Sequence, residues 1–302
     1  MPTYARHMRV PPMNLWTGSA GPVRAFLIAD VFTSTPLEGN QLGIFPDGRG
    51  LDDDLMLKVT RELHFSETVF FLPPAASPAD AHVRIFTPGG EIPFAGHPTL
   101  GSAWVLGEIL GSDTVVLATG AGLVPVELER DGDAITFGWM SQPIPSWTTY
   151  DRADELCEAL GVSGYGLPIE VYDNGPLHLY VELPSGPSLA ALAPDMAALD
   201  RLAINVSCFA QTSAGWSTRV FAPHAGIAED PATGSSAGPL AVHLARHGRI
   251  KFGVEIEIRQ GEQIHRPSVL YARADGAGDA IERVAVGGRA VLVAHGEYQL
   301  TL

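Results

Sequence analysis

The sequence predicts an α+β fold of two similar halves, each a β-barrel-like sheet around a central helix. Short strand-like runs outnumber helical stretches, and two apolar helices each follow the frame Glu-x-Pro-x-x-Gly. The frame occurs at residues 91–96 and again 138 residues later at 229–234. Three matched positions are weak evidence alone, but the helix after the frame and the strands before it favour a duplication. A cleft between the two helix N-termini is then expected.

In the first half, strand-like runs surround two predicted helices. Residues 52–63 have apolar residues at helical spacing and acidic residues in the first turn. The second helix is predicted from Gly96 to about Leu110. The predicted strands are 25–32, 41–45, 68–72, 82–86, 114–118, 124–129 and 134–139.

The second half repeats this pattern, whereas the first 21 or so residues contain turn-forming residues without periodicity and look like an extension. Helices are predicted at 153–160, at 195–202 and from Ser235 to His247. The predicted strands are 169–172, 177–183, 203–210, 217–221 and a final run at 290–302.

The formal net charge of −15 excludes some classes of function. An acidic surface repels phosphate backbones, so no nucleic-acid partner is expected. No apolar run reaches the ~18 residues that span a bilayer, so no membrane partner and a cytoplasmic location are expected. Cys157 and Cys208 are too few for a disulfide framework or a thiolate metal cluster, and both are expected to be small buried apolar residues.

Gly96 and Gly234 open the two long helices. A helix N-terminus offers free backbone N–H groups and the positive end of a dipole, so it can receive a small anion without Lys or Arg. A glycine before a helix often only eases a tight turn. Its occurrence in both frames favours a functional site.

Glu67 lies among bulky apolar residues, including Phe65 and Phe70. Burial there would disfavour the charged carboxylate, which suits a general acid/base near neutral pH. The structural alternative is a glutamate at a strand edge that points to water.

Three more side chains lie in the two frames or directly after them. His97 follows Gly96, where an imidazole can exchange protons with a bound ligand, although it can also be a capping or packing histidine. Ser235 suits a helix N-cap and Asp230 can stabilise the same turn. Both would nonetheless line the expected cleft.

Two rival motifs point to other chemistry. Residues 234–238 fit the Gly-x-Ser-x-Gly elbow of serine hydrolases with Ser236 as nucleophile, but a long link at 223–233 separates them from the preceding strand. His243 and His247 have the i, i+4 spacing of metal ligands, yet no third ligand is evident. We therefore expect two exposed or capping histidines and no metal. Without a phosphate-binding loop, no cofactor is expected either.

Several motifs together carry a family resemblance. They are Asp30-Val-Phe, Pro36-Leu-Glu-Gly-Asn, Ser66-Glu-Thr, Arg84-Ile-Phe-Thr-Pro, Phe94-Ala-Gly-His-Pro-Thr-Leu-Gly and Glu229-Asp-Pro-Ala-Thr-Gly-Ser. With them the chain resembles the PhzF family of phenazine-biosynthesis proteins, which have the diaminopimelate-epimerase fold. The resemblance covers about residues 25–302. It implies halves at 24–143 and 144–289, with 290–302 joining the first half and 1–23 forming an extension.

The resemblance also implies a reaction. Such proteins are cofactor-free isomerases and homodimers that convert trans-2,3-dihydro-3-hydroxyanthranilic acid, a small anionic amino acid, to 6-amino-5-oxocyclohex-2-ene-1-carboxylic acid in phenazine biosynthesis. By motif position, the catalytic glutamate falls on Glu67. The assisting residues fall on His97, Asp230 and Ser235, and substrate binding on Asn40, Ser66, Gly96 and Gly234.

Other functions stay open. Related epimerases use two thiol bases, but the matching positions here are Gly96 and Asp230, so two-base racemisation is disfavoured. One carboxylate that moves a proton between two carbons on the same face fits better. The alternatives are an isomerase of this type acting on another unsaturated amino acid, and a non-catalytic small-ligand-binding protein.

Overall fold

The structure is a computed structural model that describes residues 9–17 and 20–300. It divides into two compact units. Unit 1 comprises the described residues up to Met140 together with those from Gly288 onward, and unit 2 is Ser141–Gly287. Within the described ranges, no helix combines the length and apolarity needed to cross a bilayer.

Unit 1 is a mixed sheet with two long helices. The helices are α1 (Asp53–Leu63) and α2 (Gly96–Leu110). The strands are β1 (Val23–Val31), β2 (Asn40–Phe45), β3 (Glu67–Leu72), β4 (Ala81–Thr87), β5 (Gly90–Ile92), β6 (Thr114–Thr119), β7 (Gly122–Asp131), β8 (Ala134–Gln142) and β18 (Ala290–Gln299).

The strand order in unit 1 is β18-β1-β2-β3-β4-β6-β7-β8, and the short β5 pairs with β4. The pairs β2–β3 and β4–β6 are parallel, and the others are antiparallel. A parallel pair needs a crossover connection, and α1 and α2 provide the two that this sheet requires.

Helix α2 is the central helix of unit 1. Its residues from Gly96 to Ala103 are all buried, which is typical of a helix that is apolar on all sides and lies inside a core. The sheet approaches it closely at Gly101, where a Cβ atom would lie 2.6 Å from Leu42 Cδ2. The helix predicted from Gly96 to about Leu110 is confirmed.

Helix α1 is amphipathic and covers an aromatic cluster. The Asp52 carboxylate caps it by accepting a hydrogen bond from the Leu55 amide at 2.8 Å. The buried face of α1 packs against Phe45, Phe70 and Phe86. The helix predicted at 52–63 is thus confirmed.

Unit 2 has the same kind of sheet. Its helices are α3 (Ala153–Leu160), α4 (Gly186–Ala190), α5 (Met196–Leu202) and α6 (Gly234–Arg246). Its strands are β9 (Ser146–Thr149), β10 (Glu170–Asp173), β11 (Leu177–Glu182), β12 (Asn205–Thr212), β13 (Gly215–Ala222), β14 (Ile227–Asp230), β15 (Ile256–Gln260), β16 (Ser268–Ala277) and β17 (Ala280–Gly288).

The strand order of unit 2 matches that of unit 1. It is β9-β10-β11-β12-β13-β15-β16-β17, and the short β14 pairs with β13. The parallel pairs, β11–β12 and β13–β15, occupy the same places in the order as those of unit 1. Helix α6 is buried along nearly all its length, as α2 is. The predicted α+β fold with two similar halves is confirmed.

The structure differs from the sequence prediction around the second frame. The link at 223–233 contains a 3₁₀ helix, Pro223–Ala225, and strand β14. Helix α6 begins at Gly234 with Thr233 as its N-cap, so the prediction of Ser235 as N-cap is wrong. Ser235 lies inside the first helical turn instead.

The remaining predictions on the fold concern the cysteines and the extension. Cys208 is buried in the core of unit 2, and burial raises the pKa of its thiol, whereas Cys157 is only partly buried. The first eight residues and residues 18–19 of the predicted extension lie outside the described ranges. In the described part of the extension, the Trp16 carbonyl accepts a hydrogen bond from Arg49 Nη1 at 2.8 Å.

Candidate active site

Glu67 begins strand β3, beside the parallel strand β2. Its cross-strand partner is Leu42, and the strand continues into the fully buried Val69 and Phe70. The Glu67 side chain is only 11% exposed. The alternative of a strand-edge glutamate that points to water is therefore wrong.

Three polar side chains of unit 1 form a series of contacts that leads to Glu67. Ser66 Oγ donates to Asn40 Oδ1 at 3.1 Å, and Asn40 Nδ2 lies 3.2 Å from His97 Nδ1. Because an amide nitrogen can only donate, this arrangement makes Nδ1 of His97 an acceptor and leaves the ring hydrogen on Nε2. That Nε2 lies 3.5 Å from Glu67 Oε2. The geometry between these two atoms does not make a hydrogen bond, so the neutral ring and the carboxylate are in close polar contact only.

The charge state of His97 follows from its burial. Desolvation lowers the pKa of His97 to about 3, against an opposing hydrogen bond with the backbone of Gln41. The ring is therefore neutral near pH 7. Glu67 and His97 form a carboxylate–imidazole pair rather than an ion pair.

His97 is the second residue of α2. The N-cap residue, Ala95, has no side chain to cap the helix, and its carbonyl accepts from the amide and the hydroxyl of Thr99. The first N–H groups of a helix have no partner within the helix. The start of α2 beside Glu67 is thus suited to an anionic ligand.

In unit 2, Asp230 ends β14 and is held by a loop that Gln260 organises. Thr233 Oγ1 donates to Asp230 Oδ2 at 2.5 Å. Gln260 Nε2 donates to the Asp230 carbonyl and to Thr233 Oγ1, both at 2.8 Å, while its Oε1 accepts from the Thr233 amide at 3.1 Å. Thr233 was not among the predicted site residues, although it lies inside the frame. Gln260 is 30 residues from Asp230, and no sequence signal marks it.

Two side chains donate hydrogen bonds to the first carbonyl groups of α6. The Gly234 carbonyl accepts from Gln142 Nε2 at 2.8 Å, and the Ser235 carbonyl accepts from Asn174 Nδ2 at 2.9 Å. The Ser235 carbonyl needs this partner because Pro239, four residues later, has no N–H to donate. The first turn is therefore held by contacts from outside the helix.

The Ser235 hydroxyl faces His178 of strand β11, with Oγ 3.1 Å from Nε2. The next serine, Ser236, is bonded differently: its Oγ lies 2.7 Å from Ser207 Oγ and 3.0 Å from the Tyr180 hydroxyl. A nucleophilic serine needs a basic partner, and these two hydroxyls provide none. The geometry does not favour a serine hydrolase with Ser236 as nucleophile.

His243 and His247 meet at Glu170. The prediction of two exposed or capping histidines is wrong for His243, whose side chain is fully buried. Glu170 Oε2 accepts from His243 Nδ1 at 3.2 Å, from His247 Nε2 at 3.1 Å and from Arg246 Nη1 at 2.8 Å. Glu170 supplies the third group that a metal site would need, and sequence spacing did not indicate it.

Arg246 makes this cluster unsuitable for a cation. Its guanidinium lies against Glu170 and over the Trp147 ring, 4.0 Å from the ring centroid. Although burial raises the pKa of Glu170, hydrogen bonds from the two histidines, Tyr172 and Arg246 hold it well below its usual range. The carboxylate charge is already compensated by these donors.

The structure groups the predicted site residues within each unit. Unit 1 brings Asn40, Ser66, Glu67, Gly96 and His97 together at the starts of β2, β3 and α2. Unit 2 places its three residues on either side of Thr233 at the start of α6. These three residues are Asp230, Gly234 and Ser235.

Comparison with known proteins identifies relatives along almost the whole chain. The family model for phenazine biosynthesis-like proteins matches residues 29–296. The trans-2,3-dihydro-3-hydroxyanthranilate isomerase of Pseudomonas chlororaphis is 48% identical over 274 residues, covering 90% of this chain and 98% of that protein.

Solved structures share the fold. A predicted epimerase from Pseudomonas aeruginosa superposes with a TM-score of 0.78 at 32% identity, covering 92% of this chain and 100% of that one. A PhzF-family phenazine biosynthesis protein from Bacillus anthracis gives 0.79 at 24% identity, covering 91% and 99%.

Proposed function

This chain belongs to the PhzF family of phenazine biosynthesis-like proteins and is an isomerase, and from this we propose its reaction and the residues that perform it. The substrate is trans-2,3-dihydro-3-hydroxyanthranilic acid, and the product is 6-amino-5-oxocyclohex-2-ene-1-carboxylic acid. The 48% identity to an enzyme named for that substrate supports the choice. Isomerisation leaves the atoms of the substrate unchanged in number, so it requires only a group that moves a proton.

Glu67 is the proposed acid/base, and its pairing with a neutral imidazole carries this assignment. Glu67 is largely buried and is followed along β3 by fully buried residues, so its carboxyl group can take a proton and keep it from solvent. The neutral ring of His97 lies beside it, with Nε2 3.5 Å from Glu67 Oε2, and adds no positive charge that would hold the carboxylate deprotonated. A single carboxylate then removes a proton from one carbon and returns it to another.

The other residues are proposed to bind and orient. Asn40 and Ser66 hold His97 in one tautomer beside Glu67. The amides at Gly96 and Gly234 are proposed to bind substrate, and Asp230 and Ser235 are proposed as further catalytic residues. Catalysis is proposed to need no cofactor, and the working form is proposed to be a homodimer.

The test is the substitution Glu67→Gln, which keeps the shape of the side chain but cannot carry a proton. We expect turnover to fall by at least about 10³-fold, the usual scale for a lost acid/base. Binding of 3-hydroxyanthranilate, an aromatic substrate analogue, should persist in calorimetric titration. With substrate deuterated at the donor carbon, wild-type product formed in ordinary water should carry some label at the new position.

The matched control is Glu127→Gln on strand β7, where the glutamate is exposed. It should turn over like the wild type. Near-normal turnover in Glu67→Gln would remove Glu67 from the mechanism. Complete loss of the label would leave Glu67 as the base but show that its proton exchanges with water.

A further inference from the structure

Two polar contacts occupy equivalent places in the two units. Asn40 Nδ2 lies 3.2 Å from His97 Nδ1 in unit 1, and His178 Nε2 lies 3.1 Å from Ser235 Oγ in unit 2. In each pair the partners are 57 residues apart. The first partner is among the first two residues of a strand, and the second partner is the second residue of the buried helix. The duplicated fold thus places one strand side chain against each helix start.

The contact in unit 2 is buried on both sides. His178 is 1% exposed and Ser235 is 6% exposed. Burial lowers the pKa of His178 to about 3, so its ring is neutral and carries a single hydrogen. Within the part of the chain that the structure describes, Nδ1 of His178 has no hydrogen-bond partner.

We propose that His178 is a positioning residue that donates its Nε2–H to Ser235 Oγ and so directs the Ser235 hydroxyl hydrogen outward, to a ligand. The other tautomer would place the hydrogen on Nδ1, and buried N–H groups without an acceptor are rarer than acceptors without a donor. With its oxygen accepting from His178, the Ser235 hydroxyl acts as a donor. Asn40 orients His97 in unit 1 by the same kind of contact.

The ligand chemistry is an anionic acceptor. A hydroxyl donor in the first turn of a helix lies where the dipole favours negative charge. A carboxylate on a small acid fits this chemistry, and this part of the inference rests on the proposed function. The inferred tautomer of His178 is independent of the proposed function.

The first experiment reads the tautomer without any substrate. Long-range ¹H–¹⁵N spectra of protein labelled with ¹⁵N-histidine distinguish a protonated ring nitrogen from a bare one. At pH 7, His178 should show a protonated Nε2 and a bare Nδ1, with its signals assigned by their loss in His178→Gln. A protonated Nδ1 would overturn the inference, whatever reaction the enzyme performs.

The second experiment measures binding of 3-hydroxyanthranilate as the carboxylate probe. His178→Leu cannot donate, and Ser235→Ala has no hydroxyl, so each should weaken binding about tenfold, the scale of one hydrogen bond to a charged group. His178→Gln can place an amide N–H near the position of Nε2 and should restore most of the affinity. In turnover, KM should rise in His178→Leu more than kcat falls.

A double variant separates positioning from a merely structural role. If His178 acts through Ser235, then His178→Leu should cause no further loss of affinity in the Ser235→Ala background. Equal losses in both backgrounds would overturn the inference. Ser207→Ala, which removes another buried serine contact of α6, should leave the affinity unchanged. A wild-type enzyme that binds the probe but does not isomerise the proposed substrate would instead count against the proposed function.

Discussion

At the scale of single residues, His97 and His178 are both neutral and buried, and burial lowers the pKa of each to about 3. A histidine in an unfolded chain has a pKa near 6.5. As the pH falls below that value, the unfolded chain takes up protons that these folded rings do not. These two rings therefore do not lower the free energy of unfolding above about pH 6.5. Below that pH, protonation of the unfolded chain makes the free energy of unfolding decrease as the pH falls towards 3.

This pH dependence can be measured with His97→Gln. Between pH 7.5 and pH 5, urea denaturation should show that wild-type protein loses about 2 kcal/mol more stability than the variant, since one histidine accounts for about 1.4 kcal/mol per pH unit below 6.5. His295→Gln, at an exposed position of β18, should lose as much as the wild type. Equal losses in all three proteins would mean that His97 is already accessible to protons.

The site residues that could be predicted from the sequence were those that lie in or next to recognisable motifs. Glu67 lies among bulky apolar residues and His97 directly follows Gly96 of the first frame. In the structure, Nε2 of His97 lies 3.5 Å from Oε2 of Glu67. His178 and Gln260 carry no such mark. They reach Ser235 and Asp230 only because strand register brings positions 57 and 30 residues away into contact. Register of this kind depends on the whole sheet, which periodicity does not specify.

At the scale of elements, helix α6 carries a proline inside its first turns. Pro239 removes the hydrogen bond that Ser235 would otherwise accept within the helix, and Asn174 supplies a replacement. The substitution Asn174→Ala should therefore lower the free energy of unfolding by about 1–3 kcal/mol, the penalty for a buried polar group without a partner.

In a Pro239→Ala background, Asn174→Ala should lower the free energy of unfolding by a smaller amount. The alanine at position 239 would restore an N–H that can donate to the Ser235 carbonyl. A double-mutant cycle from urea denaturation should give a coupling of about 1 kcal/mol. Additive effects would show that Asn174 stabilises the protein by some other contact, such as its longer one to Gln142.

The Glu170 cluster joins β10 to α6 through hydrogen bonds from His243, His247 and Arg246 to the carboxylate. Dialysis against a strong chelator should accordingly leave turnover unchanged, since Arg246 already neutralises the carboxylate. Turnover with and without added Zn²⁺ is the measurement. A large loss that Zn²⁺ restores would contradict this and make Glu170, His243 and His247 the first ligands to examine.

Elements with strong periodicity were predicted well. Helix α3 spans Ala153–Leu160 as expected, and α2 ends at Leu110. The short α4 was missed because its five residues include glycine and proline, and such a segment is too short for a helical period to show. Strand β14 was assigned to a link for a similar reason, since proline and glycine flank its four residues.

At the scale of the whole molecule, the described part of the N-terminal extension includes a contact in which the Trp16 carbonyl accepts a hydrogen bond from Arg49. Deleting residues 1–21 should leave kcat/KM within about tenfold, or ~1.4 kcal/mol of transition-state energy. Thermal denaturation should show a small loss of stability, because Arg49 would lose one acceptor. A folded variant with a much lower kcat/KM would show that the extension contributes to catalysis.

Strand β18 has a consequence for how the chain is made. Unit 2 is one uninterrupted stretch, whereas β1 receives its second neighbour only when Ala290–Gln299 arrives. Synthesis proceeds from the N-terminus, so the ribosome delivers all of unit 2 while one side of β1 is still open. An open strand edge is a template for pairing with other chains. Nascent chains interrupted before Ala290 should therefore be prone to aggregate through β1, and full release of the C-terminus ends that exposure.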